Sequence, residues 1–184
     1  MKIAPYIKFL WKSTNAHGVH SPFVFDLVTK CFYAKDKNPA EASLLYRIVK
    51  YFDPETVYIS GNDKDIEIIP GINTITVSQP QKAEFAFISH KKQTAALHTF
   101  EQLLPSITSN TILIYNHIHA SPQMEKVWAV IKNHEKTTVT IDTFKYGLVF
   151  FREEQQKEHF IIRPFTCLPL DIVLGARKLW GLIS

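Results

Sequence analysis

Apolar residues in the first fifty positions recur with a helical period. Ile3, Tyr6, Ile7 and Leu10 fall at i, i+3, i+4 and i+7, the stripe of a helix packed on one side. The polar stretch from Ser13 to Gly18 interrupts it. Ser21-Pro22 then predicts a second helix, because serine caps and proline suits the first helical position, and Val24, Leu27, Val28 and Cys31 carry its stripe. Asn38-Pro39-Ala40-Glu41 has capping-box spacing and predicts a third, with Leu45, Ile48, Val49 and Phe52 apolar and Asp53-Pro54 as its stop.

The pattern changes after Pro54. Short β-branched and aromatic runs at Thr56 to Ser60, Thr74 to Ser78, Glu84 to Ser89 and Thr111 to Tyr115 read as strands. Two further helices stand among them. Leu97, Phe100, Leu103 and Leu104 mark one that Pro105 ends, and Ser121-Pro122 opens another carrying Met124, Val127, Trp128 and Ile131. Thr137 to Asp142 and Tyr146 to Arg152 predict an antiparallel pair. Alternating strands and helices imply an α/β fold, a mostly parallel sheet with helices on its faces, and the antiparallel pair is expected at one edge.

Composition narrows the class. The chain has 184 residues, 46% of them hydrophobic and 21% charged, which excludes a disordered chain and allows one substantial core. Two cysteines, Cys31 and Cys167, cannot build a disulfide framework. A net charge of +4 is spread along the chain, with no basic cluster denser than His90-Lys91-Lys92, so no nucleic-acid partner is expected. Met1 to Lys12 lack a continuous apolar core and a small-residue cleavage site, and no stretch reaches the roughly 20 apolar residues of a membrane span. A cytoplasmic setting is expected.

Several stretches resemble one family. They are His17-Gly18-Val19-His20-Ser21-Pro22-Phe23, Leu45 to Pro54, Phe100-Glu101-Gln102-Leu103-Leu104-Pro105, Ile118-His119 leading into Met124-Glu125 and Trp128, and Thr138 to Arg152. From Ala4 to Phe165 the chain is similar to bacterial class I S-adenosylmethionine-dependent methyltransferases of the O-methyltransferase type. The resemblance implies a Rossmann-like sheet at 55–163, an N-terminal helical segment at 1–54 packed on it, and an apolar tail helix at 164–184. It also implies a cofactor across the carboxyl ends of the first strands, near Ser60, Gly61, Asn62, Ser78, Ser89 and Asn116, with His117 or His119 as base.

The residues at those positions depart from what that chemistry uses. Ile59 stands where the first strand would end in an acid, and Gly61 is followed by no further glycine. Ser78 and Gln79 replace the carboxylate that would accept from both ribose hydroxyls. Ser89, Asn116 and His117 occupy positions where metal-dependent members carry aspartates, so a magnesium site is not expected. His90, His117 and His119 suit a borderline metal by type but have no evident third ligand class beside them, which leaves hydrogen-bonded histidines as the other reading. His17 and His20 read as turn and packing residues.

Connection length points the same way. Between Ser78 and Glu84 lie only Gln79, Pro80, Gln81, Lys82 and Ala83, whereas a parallel crossover usually takes a dozen residues or more. The runs on either side are therefore expected to pair antiparallel, or one of them to be irregular. The family's elements between its second and fourth strands read as deleted. The expectation is a degenerate methyltransferase-like protein with a non-catalytic binding or scaffold role and no cofactor. The alternative is a small active methyltransferase using S-adenosylmethionine at an atypical site. Leu170 to Ser184, apolar around most of a helix with Arg177-Lys178 between, is expected to pack on the core, on a second copy or protein partner, or at a membrane surface.

Overall fold

The computed structural model describes residues 3–34, 43–61, 75–80, 83–153, 155–169 and 171–172. The proposed cap at Asn38, the residues Asn62, Asp63 and Asp65, and, of the tail, Leu170 and residues 173–184 lie outside them. Three helical elements come first: α1 (Ile3–Lys12), α2 (Pro22–Leu27), which continues into a π-helical turn (Val28–Phe32), and α3 (Leu44–Phe52). Ser21 caps α2 by accepting from the Val24 N–H, and Asp53 ends α3 in the left-handed conformation at φ 44°.

The strands are β1 (Thr56–Gly61), β2 (Ile75–Val77), β3 (Phe85–Ser89), β4 (Ile112–Asn116), β5 (Val139–Asp142), β6 (Tyr146–Phe150) and β7 (Glu158–Ile161). Helix α4 (Gln93–Leu103) follows β3 and α5 (Pro122–Asn133) follows β4. The seven strands form one sheet in the order β2-β1-β3-β4-β6-β5-β7. Only β6 runs against its neighbours, β4 and β5, and the remaining pairs are parallel. The sheet is α/β and Rossmann-like in its winding: β2 lies to one side of β1, β3 and β4 to the other.

Two sequence expectations fail here. The antiparallel pair is not at an edge: β6 sits inside the sheet and β7, unrecognised in the sequence, pairs parallel to β5 outside it. Nor do β2 and β3 pair antiparallel. Each lies parallel to β1, on opposite sides, so the chain changes sides of β1 between Val77 and Phe85. The register explains how so short a link suffices. β2 has three residues and stops level with Tyr58, while β3 starts level with Val57. The chain returns by only about one residue and shifts by about two strand spacings, near 10 Å, well within the roughly 25 Å that seven residues can span. A dozen residues are needed to return along a full-length strand, and β2 is not one.

Alternate strand positions bury into two cores. On one face Val24, Leu27, Phe32, Leu45 and Ile48 from the N-terminal helices pack on Phe87, Ile114, Ile141 and Leu148. On the other, α4 and α5 supply Phe100, Leu103, Val127 and Trp128 against Ile88, Leu113, Tyr115 and Val149. Among the described residues no helix is long and apolar enough to cross a membrane.

Candidate functional site

In a doubly wound sheet the natural crevice is at the carboxyl ends of the strands where the winding reverses. Here that point lies between β1 and β3, at Ser60, Gly61, Ser89 and His90. The pleat sends Ser60 to the α4 face. Its Oγ lies 2.7 Å from His90 Nε2 and 3.2 Å from Thr99 Oγ1, and Thr99 Oγ1 lies 3.3 Å from the same ring nitrogen. The two hydroxyls and the ring nitrogen turn toward one another. Burial pushes His90 below its ordinary value, which keeps the ring neutral.

Ser89 and Asn116 point to the opposite face, beneath the N-terminal helices. Asn116 Nδ2 donates toward Ser89 Oγ at 3.5 Å and toward His117 Nε2 at 3.2 Å, and Asn116 Oδ1 accepts from the His117 backbone N–H at 2.9 Å. Both Ser89 and Asn116 are buried, and His117 takes a left-handed φ of 61°. The residues expected to share one cofactor surface are thus divided by the sheet: Ser60 on one side, Ser89, Asn116 and His117 on the other. Ser78 is exposed one residue beyond the end of the β1–β2 ladder, and Asn62 lies outside the described residues.

Gly61 has a local cause of its own. Its φ is +107°, and a Cβ built there would come within 2.3 Å of the Ser89 carbonyl oxygen. The glycine lets the end of β1 press on the backbone of β3.

His119 stands apart from this crevice. Its Nε2 donates to Asp142 Oδ2 at 2.7 Å and its Nδ1 to Glu125 Oε1 at 3.2 Å, while its ring stacks on Phe144 at 5.2 Å between centroids. Burial lowers its pKa, but hydrogen bonds and charge from Asp142 and Glu125 together outweigh that and hold it above its ordinary value. In its protonated form the ring donates from both nitrogens and has no lone pair free to take a proton. The sequence signals for this cluster were an acid closing a strand, Asp142, and an acid in a helix's first turn, Glu125. Thr99, mid-helix, gave none.

Beside His119 opens a cleft of about 220 Å³ between α1, α5 and the sheet, with Lys8, Lys12 and Lys132 at its walls and Phe9 and Trp128 among its apolar lining. Both its carboxylates, Glu125 and Asp142, are already held by His119. Among the described residues no group of three or more His, Cys, Asp or Glu side chains converges as a metal-binding set. His17 and His20 are exposed, so they do not pack; the His17 N–H donates to Asn15 Oδ1 in the turn after α1.

No family model matches the chain, and no curated protein does. Solved structures similar to it include an O-methyltransferase from Bacillus cereus in complex with SAH, at 12% identity and TM-score 0.37, covering 72% of this chain and 93% of that one. Another is the MycE methyltransferase of the mycinamycin biosynthetic pathway in complex with Mg and SAH, at 10% identity and TM-score 0.38, covering 76% of this chain and 55% of that one. At these scores the overlap is loose; strand order and direction define the fold.

Proposed function

We propose that the chain is a methyltransferase-like α/β protein, shortened between its second and third strands, that serves as a non-catalytic binding or scaffold module. The observation that carries this reading is the closed triangle of Ser60, His90 and Thr99 at the reversal point of the sheet. A nucleoside cofactor needs donors and acceptors turned outward, above all a carboxylate for its ribose. The Ser60 and Thr99 hydroxyls and His90 Nε2 instead turn toward each other. Ser89 and Asn116 do likewise on the far face, and Gly61 is required by its contact with Ser89.

One observation favours the rival, an active small methyltransferase with an atypical site. His117, at the carboxyl end of β4, holds a backbone conformation that costs energy outside glycine, and such strain clusters at functional sites. Isothermal titration of the full chain with S-adenosylmethionine and with S-adenosylhomocysteine separates the two. The non-catalytic reading expects no heat at millimolar ligand. Micromolar binding of either compound would overturn it.

A further inference from the structure

Helix α1 exposes one apolar stripe. Ile3, Ile7 and Trp11, each four residues apart, are 73%, 58% and 53% exposed, while Phe9 on the other side is buried and meets Phe144 at 5.4 Å. Lys8 and Lys12 each follow a residue of the stripe and border it, and they also line the cleft that Lys132 walls from α5. A second apolar stretch, Phe165, Leu168 and Ile172, is exposed and tethered to the end of α1: Asn15 Nδ2 donates to Asp171 Oδ1 at 3.1 Å, and Arg163 donates to the Ser13 carbonyl at 3.2 Å. Of the nine large apolar side chains exposed among the described residues, six lie on these two segments. So much apolar surface gathered in one region marks an interaction face.

Charge selects the occupant. Among the described residues Lys8, Lys12 and Lys132 make no ion pair, and the cleft's carboxylates are taken by His119. A second copy packed face to face would bring the same lysines against each other. Residues 173–184 carry Arg177 and Lys178 and no acidic side chain, so they offer no counter-charge either. A bilayer with anionic lipids offers both an apolar layer and negative charge. Apolar side chains at its boundary with lysines alongside are the arrangement of an interfacial helix.

We infer that α1 with Phe165, Leu168 and Ile172 forms a docking face for an anionic membrane surface, the stripe entering the acyl boundary and the Lys8–Lys12–Lys132 cleft receiving a headgroup phosphate. Co-sedimentation of the full chain tests this with vesicles of phosphatidylcholine alone and of phosphatidylcholine with phosphatidylglycerol. Binding is expected to the anionic vesicles only, and to weaken as salt rises. Lys8→Gln with Lys12→Gln should weaken it about tenfold or more, since each lysine near such a surface contributes measurably. Ile3→Glu with Ile7→Glu should abolish it while leaving the thermal melt in place, because both side chains are mostly exposed. Failure to sediment with anionic vesicles, equal sedimentation with neutral ones, or binding indifferent to these substitutions would overturn the inference. A concentration-dependent dimer that Ile7→Glu dissolves, without vesicle binding, would assign the face to a second copy instead.

Discussion

Gly61 shows how one residue type can serve two quite different ends. In the sequence it is a lone glycine after a strand, the position where a cofactor loop would begin. In the structure the reason for it is inside the sheet, where its missing side chain leaves room for the Ser89 carbonyl. Gly61→Ala should therefore destabilise the fold whether or not any ligand binds. The positive φ alone costs about 1–3 kcal/mol, and the close contact adds to it. Urea unfolding of the variant checks this, and a midpoint equal to that of the parent chain would remove the packing explanation. The position was legible as a turn; its purpose depended on a neighbour 28 residues on, which no local pattern encodes. Thr99 is similar, an unremarkable helix residue until β1 and β3 bring Ser60 and His90 to it.

Among elements, His119 works as a pin. It joins the loop after β4 to the first turn of α5 through Glu125 and to the end of β5 through Asp142. Its folded pKa is raised, so its contribution to stability is fully present below the unfolded value, about 6.5, and is lost as pH rises through the folded value. His90 and His159 have the opposite sign. Burial lowers both, with Lys132 and Lys157 adding to the effect on His159, so their stabilising share is present above about 6.5 and is lost as pH falls through their folded values. Melting curves of the parent and His119→Gln across this range should diverge toward acid, the variant falling more steeply. A gap that does not change with pH would show that the ion pairs do not form. Helices were legible at this scale because a stripe of period 3.6 survives any neighbour, as Val24, Leu27 and Cys31 do. β7 was not, because it is half-exposed and its Glu158-His159-Phe160-Ile161 run shows little alternation. The crossing between β2 and β3 was misread because loop length was weighed against a strand of ordinary length, when register decides how far the chain must return.

For the molecule as a whole, the two ends of the described chain are locked together by a buried cation. Arg163 is 1% exposed; it reaches the Ser13 carbonyl and hydroxyl at 3.2 and 3.1 Å and pairs with Asp171, which also accepts from Asn15. Removing Asp171 leaves the buried guanidinium without its counter-charge, so Asp171→Ala should cost about 3–5 kcal/mol in urea unfolding. Arg163→Met should cost less, since it removes the buried charge and leaves behind only a partly exposed carboxylate. Equal, negligible losses in both would mean that the junction adds no stability. This tie was invisible in sequence, where Arg163 is one more basic residue at the end of the sheet domain.

The bridge between Thr14 and Ile162 bears on how the chain can be made. Helices α2 and α3 share their core with Val139, Ile141, Leu148, Phe150 and Ile162. On a ribosome they emerge long before those partners exist. At roughly 5–20 residues per second, the wait from Phe52 to Val139 lasts on the order of 5–20 seconds. During that interval their greasy faces are available to chaperones, and these early helices are among the last elements to find their seat.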